Sequence, residues 1–179
     1  MMIRVGILGL ARREGTFAEV GLRSWEEAGC AAVEHTLMMG GGGLYTVHRP
    51  LVVRSGRAKV ERILRDWCDA PNEAARCDLI LTVGGTGYSD ADVMPEATQT
   101  LLKRGAPGIV ETLRRASFDA GHTEAVLSRG VAGMRGPILL INLPGNVEGL
   151  ADPEPLRLAT KTVMLFLPDL LAALQERVE

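Results

Sequence analysis

The residues best suited to chemistry in this chain lie between Thr82 and Thr98, in the run TVGGTGYSDADVMPEAT. Gly84, Gly85 and Gly87 let the backbone approach an anion closely and aim successive N–H groups at it, and Thr86 adds a hydroxyl donor. Asp90 and Asp92 supply oxygen ligands of the kind Mg²⁺ takes, an ion that usually bridges substrate phosphates. Glu96 falls at the start of the next helix, where the helix dipole favours a carboxylate. As a pattern the loop is neither a Walker A loop, because no Gly-Lys-Ser/Thr follows, nor a GxGxxG run at a first strand. A tight turn of this composition serves structure as readily as binding. A second loop, Asn142-Leu143-Pro144-Gly145-Asn146, follows another apolar strand and offers N–H groups in a turn.

These loops need elements to hold them. Ile3 to Leu10 reads as a nearly continuous apolar strand, as in a parallel sheet covered on both faces. A polar loop from Ala11 to Thr16 follows, then a helix over Phe17 to Gly29 ended by Gly29. Val33 to Met39 is expected to be a second strand. Gly40 to Gly43 reads as a flexible loop or hairpin tip, and Leu44 to Val53 as extended, with Pro50 favouring an edge. Ser55 suits an N-cap for a helix from Arg57 to Cys68, where Val60, Ile63, Leu64 and Trp67 recur at helical spacing. Asp78 to Val83 is the best strand in the chain. Helices are expected over Pro95 to Arg104 and Pro107 to Asp119, with strands at Ala125 to Leu127 and Pro137 to Leu143. A last helix runs from Glu154 to Arg177 with a kink at Pro168. Strands alternating with helices specify an α/β fold: three layers, a mostly parallel sheet with helices on both faces. Ligands in such folds bind beyond the carboxyl ends of the strands. That places Ala11 to Thr16, Val53 to Gly56, Gly84 to Asp92 and Pro144 to Asn146 around one site.

The totals agree with one domain over residues 1–179, with an aliphatic core: 46% of residues are apolar and only seven are aromatic. A net charge of −2 lacks the basic excess that a nucleic-acid footprint needs. Three cysteines without a CxxC pair read as reduced thiols, and His35, His48 and His122 have no ligand spacing. No leader or membrane span is visible, and the cytoplasm is the expected compartment.

Taken in order, LTVGGTGYSDADVMPEAT, APGIVETLRRASF and AVLSRGVAGMRGPILLINLPGN resemble the MogA/MoaB family of molybdopterin (molybdenum cofactor) biosynthesis proteins. The matching motifs are GGTG, an Asp five residues after its last Gly followed by Pro-Glu-Ala-Thr, PG with Glu three residues on, LSR, and LPG. The strong match covers about residues 78 to 150. The resemblance implies a MogA-like fold and usually a homotrimer, a hexamer being the larger alternative. It implies binding of molybdopterin and, in the catalytic branch, adenylylation of molybdopterin by Mg-ATP in the cytoplasm, alongside other proteins of the cofactor pathway. Carried over, Gly84, Gly85, Thr86 and Gly87 form the nucleotide and pterin loop. Asp92 takes the catalytic and metal-binding acidic place, and Glu111 is the second catalytic residue. Ser128, Arg129, Pro144, Gly145 and Asn146 complete the binding set. Glu111 could instead lie on a solvated helix face, and Arg129 could pair locally or bridge subunits.

The chain also departs from the pattern. Ala11-Arg12-Arg13 stands where Ser-Asp is usual, and Ser55 where an acid is expected, so a magnesium-dependent transfer has fewer ligands. The Gly40 to Gly43 run looks like an insertion bordering the site. Arg12, Arg13, Arg54 and Arg57 could make a cationic mouth, which leaves a second reading open: a non-catalytic MoaB-like molybdopterin-binding or scaffold protein. A third is a relative acting on another phosphorylated ligand, like the competence/damage-inducible proteins.

Overall fold

A computed structural model describes residues 2–11, 25–48, 50–54, 56–72, 76–145 and 154–175. In chain order the elements are β1 (Ile3–Ala11), α1 (Trp25–Gly40), β2 (Tyr45–Val47), β3 (Leu51–Arg54), α2 (Arg57–Cys68), β4 (Leu79–Val83), α3 (Met94–Gln99), β5 (Arg104–Gly105) and α4 (Pro107–Asp119). A 3-10 turn (Thr123–Leu127), β6 (Ala132–Arg135), β7 (Ile138–Leu143) and α5 (Glu154–Gln175) follow.

The seven strands form one sheet in the order β2-β1-β4-β7-β6-β5, and β3 shares the β2 side of β1. Only β6 runs against the others. Ile3 pairs with Tyr45 at the amino end of β1, and Ala11 pairs with Arg54 at its carboxyl end. Side-chain alternation sends Val5 and Ile7 to one face and Leu8 and Leu10 to the other. The first face is covered by Cys30, Val33 and Leu37 of α1, Val110 and Leu113 of α4, and Leu156 and Val163 of α5. The second is covered by Val60 and Leu64 of α2 and by Met94 and Ala97 of α3. This is the expected three-layer arrangement. Each of the Val, Leu, Ile and Met side chains among these contributes about 1.5–3 kcal/mol by leaving water.

Several sequence expectations change. Val33 to Met39 is not a strand but the second half of α1, because Cys30, Val33 and Leu37 recur on one buried helical face. Gly29 does not end a helix: a side chain there would meet Leu156 Cδ1 at 3.0 Å and Val83 Cγ1 at 3.2 Å, so the glycine lets α1 lie close to the sheet. Residues 17–24 of the expected first helix lie outside the described residues. Ala125 to Leu127 is a 3-10 turn with Val126 and Leu127 exposed, and the strand of this region is Ala132–Arg135. Leu44 to Val53 breaks into β2 and β3, the α3 helix stops at Gln99, and α5 continues through Pro168. The Gly40 to Gly43 run does not border the site. It closes α1 and leads into β2, where Ile3 N donates to Leu44 O at 2.7 Å, at the amino end of the sheet.

At that same end Arg4 and Asp78 tie β1 to β4. Asp78 Oδ2 accepts from Arg4 N at 2.9 Å and Nε at 3.0 Å, and Oδ1 accepts from Nη2 at 2.8 Å. Burial pushes the Asp78 carboxyl up, but the hydrogen bonds and charge of Arg4 outweigh it and hold it below the usual carboxylate range. A depressed folded value means stability that is fully present above the unfolded value of about 4 and is lost as pH falls through the folded one. Between pH 6 and pH 3 the urea midpoint of the wild type is therefore expected to fall further than that of Asp78→Asn. Parallel curves would show that this pair does not couple to folding.

Candidate functional site

The chain order reverses between β1 and β4, so the crevice outside their carboxyl ends is the place where such sheets bind ligands. β4 leaves the sheet at Val83 and enters Gly84-Gly85-Thr86-Gly87. φ is +80° at Gly84 and +66° at Gly85, a left-handed pair that non-glycine residues rarely adopt. Space makes the same demand at Gly85, where a Cβ would lie inside van der Waals contact of Leu10 Cδ2. The turn after β7 meets this loop backbone to backbone: a Cβ on Gly145 would lie 3.2 Å from Gly84 Cα.

The carbonyls of the loop are turned into the protein. Gly85 O accepts from Met94 N at 3.1 Å, Thr86 O from Arg129 N at 2.9 Å, and Gly87 O from Arg129 Nε at 2.6 Å. Among the described residues, none accepts the N–H of Gly85, Thr86 or Gly87. A row of amides without protein acceptors, following the left-handed pair Gly84-Gly85, has the form of a nest, a geometry suited to receiving an anion.

Arg129 holds this loop together. Beyond its bonds to Thr86 and Gly87, its Nη2 donates to Asp92 O at 2.8 Å, its Nη1 pairs with Glu96, and its guanidinium lies 5.5 Å from the centre of the Tyr88 ring. Within the single chain Arg129 thus pairs locally, one of the alternatives that the sequence left beside its binding role. The Arg129 hydrogen bond is also the main reason that the Glu96 carboxyl sits below its usual range, so Glu96 remains an anion paired to Arg129. Asp92 is 2% exposed, and its Oδ2 accepts from Ser89 N at 2.9 Å while its own N donates to Ser89 O at 2.8 Å. It closes the turn that follows the nest. Among the described residues no three His, Cys, Asp or Glu side chains gather to hold a metal.

Beneath both loops lies a buried polar cluster. Asn142 Nδ2 donates to Thr82 Oγ1 at 2.8 Å and to Thr98 Oγ1 at 2.9 Å, and its Oδ1 accepts from Val131 N at 3.1 Å. One side chain thus joins β7 to β4, α3 and the approach to β6. Sequence reading missed this role, although a polar residue in the otherwise apolar strand ILLINL is the signal for it. Ser128, Asn142 and Pro144 line a cavity of about 30 Å³ with Arg114, whose Nη1 donates to Ser128 O at 3.2 Å. That is space for water rather than for a ring system.

The expected site residues therefore divide. Gly84 to Gly87, Asp92, Arg129, Pro144 and Gly145 come together, and Ser128 lies just behind them. Glu111 does not join them within one chain: it is exposed on α4, without a hydrogen-bond or ion-pair partner among the described residues. Asn146, Arg12, Arg13 and Ser55 lie outside the described residues. Arg54 stands at the carboxyl end of β3, and Arg57 is engaged by Glu61 at 2.6 Å. Cys30, Cys68 and Cys77 are buried and form no disulfide, and burial pushes Cys68 up to about 12 and Cys77 to about 11. No helix among the described residues is long and apolar enough to cross a membrane.

A family model described as "Probable molybdopterin binding domain" matches residues 38–152, the span that carries both loops. The chain belongs to this family, that of the MogA and MoaB proteins of molybdenum cofactor biosynthesis. It is 30% identical over 161 residues to the molybdopterin adenylyltransferase of Escherichia coli K12, covering 85% of this chain and 75% of that one. Identity to the molybdopterin adenylyltransferase of Helicobacter pylori ATCC 700392/26695 is 38% over 101 residues, covering 56% of this chain and 54% of that protein. The chain thus spans about half the length of the Helicobacter pylori protein. The crystal structure of the molybdopterin biosynthesis enzyme MoaB from Thermus thermophilus is 34% identical and superposes with a TM-score of 0.75, covering 98% of both chains. The likeness in fold of this MogA/MoaB-type chain spans nearly all of both proteins, alongside the sequence departures from the motif around Ala11 and Ser55.

Proposed function

We propose that this chain binds molybdopterin and transfers the adenylyl group of Mg-ATP to it. The observation that carries the reading is the amide row of Gly85 to Gly87, held backbone to backbone against the Pro144-Gly145 turn, in a family whose sequenced relatives include molybdopterin adenylyltransferases. In this reaction an oxygen of the molybdopterin phosphate forms a bond to the α-phosphorus of ATP. The bond from that phosphorus to the bridging oxygen breaks, and pyrophosphate leaves with its electron pair. No protein nucleophile is required. The work left to the protein is to bring two anions together and offset the charge that grows between them.

In this reading the amides of Gly85, Thr86 and Gly87 take phosphate oxygens, and the Pro144-Gly145 turn forms the opposite wall. Magnesium arrives with the nucleotide in this reading, as an ion that usually bridges substrate phosphates. Asp92 acts through the turn it closes, and Glu111 stands outside the site of a single chain. Arg54, at the carboxyl end of β3, adds positive charge to the same edge. A cytoplasmic homotrimer belongs to the same proposal, as the family resemblance implies.

The test is an assay of folded protein with molybdopterin and Mg-ATP. One pyrophosphate is expected per adenylylated molybdopterin. Binding of molybdopterin with no pyrophosphate released would replace this reading with that of a non-catalytic binding protein.

A further inference from the structure

Burial does not place Tyr88. It is 73% exposed in a chain with only seven aromatic residues, and it directly follows the last glycine of the nest. Its position is nevertheless held. The Arg129 guanidinium lies 5.5 Å from the ring centre, and that guanidinium is itself pinned by Gly87 O, Asp92 O and Glu96. The ring therefore has a fixed cation beside it. The ring is oriented from one side and open to solvent over most of its surface.

The neighbouring groups say what the open surface suits. One peptide unit, about 3.8 Å, separates Tyr88 from the last amide of the nest. A phosphate seated on those amides would carry its organic group out of the crevice past this ring. A ring already polarised by a cation and open to solvent stacks well with a planar heteroaromatic group. We propose that Tyr88 is a stacking platform for the flat heterocycle carried by the bound phosphate, so that it contributes specificity for the ring rather than for the charge. This inference rests on the phosphate-binding reading of the Gly84 to Gly87 loop. The shared chemistry is a planar nitrogen heterocycle bearing phosphate, whether the adenine of a nucleotide or a pterin.

The experiment separates ring from phosphate. Affinities of ATP, of neopterin triphosphate and of ring-free tripolyphosphate are measured by calorimetry in the presence of Mg²⁺, for the wild type, Tyr88→Ala and Tyr88→Trp. Stacking on an aromatic side chain predicts that Tyr88→Ala weakens at least one ring-bearing ligand by about five- to a hundredfold. Tripolyphosphate affinity should stay within twofold, and Tyr88→Trp should retain ring binding. The ligand that loses affinity identifies which ring stacks. Equal losses for all three ligands would mean that Tyr88 only props the loop, and no loss for either ring-bearing ligand would mean that the ring is not contacted. Either result overturns the inference while leaving the phosphate-binding reading of the loop standing. Wild-type protein that binds none of the three would overturn the phosphate-binding reading itself, and the inference with it.

Discussion

Gly85→Val is expected to abolish nucleotide and molybdopterin binding and to lower stability by about 2–5 kcal/mol. Two independent effects add. At φ +66° a β-branched residue is held in a left-handed conformation that costs it about 1–2 kcal/mol. The new side chain also enters the space of Leu10, which is 1% exposed and packed in the core beneath the loop. Leu10 can yield only by disturbing that core, and overpacking of this kind typically costs about 1–3 kcal/mol. Binding suffers more than stability, because any relief of the clash moves the amides of Gly85 and Thr86. Gly42→Val is the matched control. Gly42 also has positive φ, at +55°, but nothing lies within 4 Å of its Cβ position and it sits at the amino end of the sheet. It should lose about 1–2 kcal/mol and no ligand affinity. Thermal unfolding and ATP calorimetry on the two variants check both statements. A Gly85→Val protein that binds ATP as the wild type does would remove the loop from the site.

Asn142→Ala is expected to cost about 3–5 kcal/mol, among the largest effects for a single substitution in this chain. Truncation strands the Thr82 and Thr98 hydroxyls inside the core and the half-buried Val131 N–H. Each unpaired buried group costs about 1–3 kcal/mol, although the hydroxyls can rotate to recover part of this, and the deleted amide leaves a small void. Thr98→Val removes one of these bonds at nearly constant shape and should cost only about 1 kcal/mol. The cluster lies where β4 and β7 end, so Asn142→Ala should also weaken phosphate binding by letting the two loops drift apart. Urea unfolding gives the ranking. Equal midpoints for Asn142→Ala and Thr98→Val would show that the cluster is not cooperative.

Legibility in the sequence followed the range of the interactions involved. α2 and α4 were expected with the ends that are found, Arg57 to Cys68 and Pro107 to Asp119, because helical periodicity and a proline at the start of α4 act within a few residues. Short apolar runs were not decidable in the same way. Val33 to Met39 and Ala125 to Leu127 carry β-branched residues, yet the first packs as one face of a helix and the second finds no strand edge. Hydrophobicity says that such a run is buried or folded, but not against what.

The Gly84-Gly85-Thr86-Gly87 loop itself was readable because its requirements are local: positive φ and a closely approaching backbone select glycine. The ordered motifs around it were enough to place the chain in its family. The partners of Arg129 were not readable. Gly87, Asp92 and Glu96 lie 42, 37 and 33 residues before it, and only the packing of the segment before β6 against the nest decides that its charge is spent on the loop. Asn142 likewise meets Thr82 and Thr98 across 60 and 44 residues, through the register of β4 with β7. Tertiary structure also moved the four-glycine run to the far end of the sheet and left Glu111 on the surface, because strand direction and helix orientation are set by the whole core. Local backbone chemistry therefore specified the Gly84-Gly85-Thr86-Gly87 turn, and long-range packing specified which side chains hold it.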